Sequence, residues 1–259
     1  NNQTTMRTIK LTLEYDGTDF NGWQSQAGKK RTIQGGLEKA LSEIFKQKTR
    51  VIGSGRTDSG VHAQGQVAHF QTSSRMTPRQ ILKALNACLA EDMAVVRAQK
   101  VSRDFHAQYS VQSKIYRYTI LNRESRSPLA RYFSCFYPHP LNLTLMSQEA
   151  RHLLGKKDFR SFQAADPAAK SDAQKKTSGS TGSPLVLNNA SWDSRSTSIR
   201  TIKKLEIKKR GPFINIDIEA DGFLYKMVRN IVGTLLEIGS GRRPLGSMKK
   251  ILDKKDRRA

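Results

Sequence analysis

The stretch that most constrains this chain runs from Gly53 to Phe70, GSGRTDSGVHAQGQVAHF. Its first half is crowded with small residues, Gly53, Ser54, Gly55, Ser59 and Gly60. Small residues let a backbone bend sharply and come close to a ligand. They bracket a basic, a hydroxyl and an acidic side chain in a row, Arg56, Thr57 and Asp58. A strand-like piece, Arg50 to Ile52, leads in, and another, Gln66 to Thr72, leads out. A loop between two strands can hold a carboxylate out into a cleft. The plainer reading is a turn in which Asp58 bonds nearby backbone N–H groups.

The elements around this loop follow from their patterns. Thr8 to Tyr15 alternates, with Ile9, Leu11, Leu13 and Tyr15 on one face, as in a half-buried strand. Asp16-Gly17 turns the chain, and Phe20, Gly22 and Trp23 follow in a loop that reads as a packed anchor. Thr32 caps a helix to about Gln47 with Ile33, Leu37, Ala40, Leu41, Ile44 and Phe45 as its apolar stripe. Thr77-Pro78 starts a second helix, and Met93 to Val101 reads as a strand.

A second half is expected from Phe105, giving domains of 1–104 and 105–259. Phe105, Ala107, Tyr109 and Val111 alternate, and Ile115 to Leu121 is a dense strand. Phe133 to Tyr137 is expected as a strand and Leu143 to Leu154 as a helix ended by Gly155. Residues 164–198 are rich in Ala, Ser, Thr, Gly, Asn and Lys without apolar periodicity, and read as a disordered insertion. Ile202 to Lys209 and Phe213 to Ala220 form an antiparallel pair. Phe223 to Ile238 is an apolar helix carrying a lone Arg229, and Met248 to Ala259 is a basic helix or tail. Adjacent strands mixed with helices predict an α+β fold with mainly antiparallel sheets.

Lys and Arg number 45 against 22 Asp and Glu, a formal charge of +23, which points first to a polyanionic partner. No apolar run approaches the roughly 20 residues that cross a bilayer, and no secretory segment is seen. Cys88 and Cys135 lie far apart without metal spacing and read as buried free thiols of a reducing, cytoplasmic compartment. The five histidines are scattered, so no metal site is expected.

GSGRTDSGVHA resembles the G-x-G-R-T-D-x-G-V-H-A signature of the TruA family of tRNA pseudouridine synthases. YDGTDFNGWQ from Tyr15, FHA from Phe105, SKIYRY from Ser113 and MVRNIVG from Met227 agree with it, in the family's order. The Asp-centred motif is highly specific; the others would be weak alone. The resemblance implies the pseudouridine synthase fold, two similar α/β-mixed halves meeting at a basic cleft, usually as a homodimer. It implies isomerisation of uridine to pseudouridine at positions 38, 39 and 40 of the tRNA anticodon stem-loop, with no cofactor.

That reaction breaks N1–C1′ and rejoins the base through C5, and a carboxylate can serve as nucleophile. The resemblance assigns this role to Asp58. It makes Tyr116 the residue that stacks on the extruded uracil and helps remove the C5 proton, and Arg229 the cation that keeps Asp58 ionised. Arg56 and Thr57 are the substrate-binding candidates beside it, Arg56 entering the vacated stack or holding a phosphate. The plain alternatives are a surface Arg56, an Arg229 snorkelling to solvent, and one of Tyr116 and Tyr118 serving as core. Two basic stretches, Arg200 to Arg210 and Lys249 to Arg258, are candidate RNA surfaces or plain solvated faces. Three departures stand out: Gln108 follows Phe105-His106-Ala107 where the family has arginine, residues 164–198 fall where the family is compact, and the family pattern continues past Ala259 to a final strand. The competing function is a non-catalytic RNA-binding protein on the same fold. A nucleic-acid-packaging protein would leave the Arg56-Thr57-Asp58 loop unexplained.

Overall fold

The computed structural model describes residues 5–26, 28, 30–165 and 197–256. All but the ends of the 164–198 segment, together with Arg257 and Arg258, lie outside the described residues. The chain divides into two compact units, Asn1–Val111 and Gln112–Ala259.

In the first unit, β1 (Arg7–Tyr15) is flanked by β3 (Ala63–Thr72) and β4 (Met93–Val101), and β2 (Ile52–Gly53) extends the far side of β3. Every pairing is antiparallel. Alternation along β1 places Ile9, Leu11, Leu13 and Tyr15 in the core. Two helices cover that face. In α1 (Ile33–Phe45) the Thr32 hydroxyl accepts from Gly35 N, and in α2 (Pro78–Cys88) Thr77 and Gln80 form a reciprocal capping box. Ile33, Leu37, Leu41, Ile81 and Leu85 are fully buried beneath them.

The alternating Phe105–Val111 stretch is a set of turns and belongs to the first unit. His106 O accepts from both Tyr109 N and Ser110 N, and the buried Ala107 donates its N–H to Nδ1 of His69 in β3 at 3.1 Å. That tertiary bond overrides the period-two pattern.

The second unit is built on a five-stranded sheet in the order β6 (Cys135–Phe136), β5 (Lys114–Leu121), β9 (Phe213–Ala220), β8 (Ile199–Arg210), β7 (Gly155–Asp158). The neighbours are antiparallel except β5 and β6, which run parallel. Ile214, Ile216, Ile218 and Ala220 of β9 face a core shared with α3 (Leu143–Ala150), α4 (Met227–Gly239) and α5 (Ser247–Lys254). The α5 N-terminus has no side-chain cap of its own. Glu149, buried at the end of α3, caps it from outside, accepting from Gly246 N at 2.9 Å and Met248 N at 3.0 Å.

The helix expected from Phe223 begins at Met227, because Lys226 takes a left-handed conformation at φ 55°. Burial of both cysteines is corrected: Cys88 is exposed and Cys135 half-buried. Cys88 is the last residue of α2, past the buried Ile81 and Leu85. No helix among the described residues is long and apolar enough to cross a membrane.

Candidate active site

The Asp58 loop is built against the 15–24 segment. Trp23 N donates to Thr57 O at 3.1 Å, and the Tyr15 and Thr57 hydroxyls are 3.0 Å apart. Beyond Asp58, Ser59 Oγ and Gly60 N both donate to Phe20 O, at 3.1 and 3.3 Å. On the entering side Ser54 N donates to Val67 O and Gln66 Nε2 to Gly55 O, both at 2.8 Å. Phe20 and Trp23 are buried, as a packed anchor should be.

Two glycines make this packing possible. A Cβ on Gly53 would lie 2.4 Å from the indole of Trp23. Gly22 has φ +82°, and its Cβ would lie 2.5 Å from Thr57 O. Side chains at either position would push the Asp58 loop away from its support.

The Asp58 backbone O accepts from Val61 N at 3.2 Å, which closes the turn. Among the described residues its carboxylate accepts no hydrogen bond and forms no ion pair. By contrast Asp16, which does fill a turn role, accepts from the N–H and the hydroxyl of Thr18. The plain turn reading of Asp58 therefore lacks the backbone bonds it needs. Asp58 is half-buried and Arg56 exposed.

Tyr116 and Tyr118 share one face of β5, with Ile115 and Arg117 on the other. Ile115 is 68% exposed, and Arg117 makes a two-pronged pair with Asp217 across the strand at 2.7 and 2.8 Å. Tyr118 packs against the core, and burial raises its hydroxyl pKa, with Cys135 adding to the rise and the charge of Arg229 opposing it. Tyr116 lies toward the strand's start, where the Phe223 ring meets it edge-on at 4.9 Å. Arg229 is exposed on α4 rather than buried. It needs no buried partner, and its described electrostatic effect falls on Tyr118.

Of the basic stretches, Lys204 and Lys208 are both drawn to Glu206, at 3.0 and 2.7 Å. These two read as a solvated face.

A family model described as tRNA pseudouridine synthase matches residues 12–110 and 188–259. The chain belongs to the tRNA pseudouridine synthase family. A Clostridium perfringens protein named tRNA pseudouridine synthase A 2 is 39% identical over 253 residues, 98% of this chain and 93% of its own length. A Thermoanaerobacter sp. protein named tRNA pseudouridine synthase A is 40% identical over 252 residues, 97% of this chain and 92% of its own. One of the same name from Geobacillus kaustophilus is 39% identical over 251 residues, 96% and 87% of the two chains.

Within this family member, Tyr15 is the support of the Asp58 loop that pattern reading does not single out. It counts as a core position by alternation. A buried tyrosine still needs a partner for its hydroxyl, and that requirement was the available signal.

Proposed function

We propose that this chain is a tRNA pseudouridine synthase that isomerises uridines 38, 39 and 40 in the anticodon stem-loop. The observation that carries this reading is the Asp58 carboxylate, left without a partner among the described residues on a loop immobilised from both sides. Its relatives' names supply the tRNA substrate class. The +23 charge suits an RNA ligand.

The target base leaves its stack at a cost of a few kcal/mol. Asp58 attacks C6 of the base or C1′ of the sugar, and the N1–C1′ bond breaks. The base turns, C5 bonds to C1′, the Asp58–C6 or Asp58–C1′ bond breaks to return the free carboxylate, C5 loses its proton and N1 gains one. Atoms and electrons balance within the one nucleotide, so the reaction calls for no redox partner or cofactor. Arg56 and Thr57 engage substrate beside Asp58. Tyr116 supplies the stacking ring and assists removal of the C5 proton. Arg229 supplies positive charge that favours the ionised nucleophile. The protein acts as a homodimer in the cytoplasm.

The test is pseudouridine mapping on unmodified tRNA transcripts incubated with the purified chain, together with release of hydrogen label from C5. Pseudouridine at 38, 39 and 40 is expected. Tight tRNA binding with no label release would instead favour a non-catalytic RNA-binding protein, with Gln108 the first position to examine.

A further inference from the structure

The SKIYRY motif contains a lysine to which the reaction gives no role. Lys114 opens β5 opposite Ala220, which in turn faces Ile202 of β8. Ala220 and Ile202 are buried, so this row points to the core side of the sheet. Lys114 therefore shares a face with Tyr116, two residues on. Arg200, two residues before Ile202, lies on the same face at the same end of the sheet. A Cβ on Gly222 would be 3.5 Å from Arg200 Nε, and Phe223, the next residue, packs its ring on Tyr116. Tyr116, Phe223, Gly222, Arg200 and Lys114 thus form one continuous patch within the second unit.

The two cations are poorly compensated. Arg200 donates through Nη1 to Thr197 O at 2.9 Å and Ile199 O at 2.6 Å, which aims the guanidinium and leaves Nε and Nη2 without acceptors among the described residues. The Lys114 ammonium has neither a hydrogen-bond acceptor nor an ion-pair partner among them. Burial, and then the charge of Arg200, lower the Lys114 pKa; burial also lowers that of Arg200, against which Asp221 acts. Asp221 spends one oxygen on Thr201 N at 2.9 Å. Half-buried cations in this state gain most from a bound anion.

We propose that Lys114 and Arg200 bind a backbone phosphate flanking the nucleotide whose base stacks on Tyr116, so that base and phosphate of one nucleotide are held on one sheet end. This rests on the assignment of Tyr116 as the stacking ring. Lys114 is then a positioning residue, raising the local occupancy of the target nucleotide without touching the reacting atoms. A phosphate fits better than a carboxylate because it offers several oxygens to two separate donors beside an aromatic ring.

The experiment uses the full chain and an anticodon stem-loop RNA. Lys114→Gln is expected to raise KM about tenfold with kcat nearly unchanged. It should also make the plot of log affinity against log salt shallower by roughly 0.7 to 1, the loss of one phosphate contact. Lys114→Arg should keep the parent's slope. Replacing single phosphates beside the target uridine by neutral methylphosphonates should weaken binding by the parent at one linkage and leave Lys114→Gln indifferent there. A parent indifferent to every methylphosphonate overturns the proposal without need of any variant. So does a Lys114→Gln protein with the parent's KM and salt slope, or one that loses kcat alone. If the parent forms no pseudouridine, the functional reading fails, while the salt slope and the methylphosphonate comparison still decide whether this patch binds phosphate.

Discussion

The hydroxyl oxygens of Tyr15 and Thr57 lie 3.0 Å apart, which ties the last residue of β1 to the residue before Asp58. The Tyr15 ring is 3% exposed, so packing fixes its position and its hydroxyl becomes a rigid stop for the loop. Sheet order is thereby transmitted to the Asp58 loop through a side-chain contact.

Tyr15→Phe tests that transmission. The ring still fills its place, so stability should fall by only about 1 kcal/mol, the worth of one hydrogen bond. The loop loses its stop, and small misplacements of a reacting group are costly, so kcat should drop roughly tenfold. Tritium release from C5 and denaturant midpoints measure the two effects. A kcat equal to the parent's would show that the backbone bonds alone hold Asp58.

Gly22 and Gly60 separate backbone strain from steric crowding. Both have positive φ, +82° and +76°. A Cβ on Gly60 meets nothing within 4 Å, whereas one on Gly22 meets Thr57 O at 2.5 Å. Gly60→Ala should cost about 1 kcal/mol, the price of a left-handed residue. Gly22→Ala should cost at least about 2 kcal/mol and displace the Asp58 loop, with turnover lost out of proportion to stability. Equal losses in the two variants would mean that φ, not contact, is what matters there.

The Asp58 loop and the strands on either side of it could be read from the chain, but the contacts that support it could not. Thr32 and Thr77 announce their helices through local chemistry, and β1 through alternation, because each signal spans a few residues. The Tyr15–Thr57 contact joins residues 42 apart, and no local pattern encodes it. The alternation over 105–111 gives turns rather than a strand for the same reason, since His69 in β3 supplies the bond that shapes them. The strand at Gly155–Asp158 has no apolar pattern to betray it; β8 holds it at the sheet edge through backbone pairing.

Glu149 should matter to the second unit well beyond its own helix. It is 2% exposed and accepts two N–H groups at the start of α5. A carboxylate there satisfies orphan donors and meets the positive end of the helix. Glu149→Gln sets an amide N–H against one of those donors and should cost about 2 kcal/mol. Amide exchange in residues 247–254 should accelerate by at least about tenfold. Unchanged protection in those residues would refute the cap.

The His69–His106 pair should make the fold acid-sensitive. Burial lowers both pKa values below the ordinary 6.5, and for His69 the charge of His106 adds to the effect. In the unfolded chain both histidines bind protons near 6.5, while the folded chain resists them. The unfolded state therefore holds more protons as pH falls below about 6.5, and stability declines there; it is fully present above that value. Ring-proton NMR titration should place both midpoints below 6.5. Stability of the parent between pH 7 and 5 should fall more steeply than that of His69→Gln, and parallel curves would rule out His69 as a source.

Asp58→Asn should separate binding from chemistry. The amide is nearly isosteric, and among the described residues the carboxylate it replaces bonds nothing, so the loop keeps every contact from Trp23, Tyr15 and Phe20. Stability should change by less than about 0.5 kcal/mol, the range of substitutions that touch no packed or bonded group. An amide cannot serve as the nucleophile, so pseudouridine formation should be abolished. RNA affinity should persist and rise slightly, because one negative charge is removed from a basic protein. Turnover near the parent's in a folded Asp58→Asn would remove Asp58 from the mechanism. Loss of RNA binding along with turnover would mean that the carboxylate organises the binding surface, which its lack of partners among the described residues argues against.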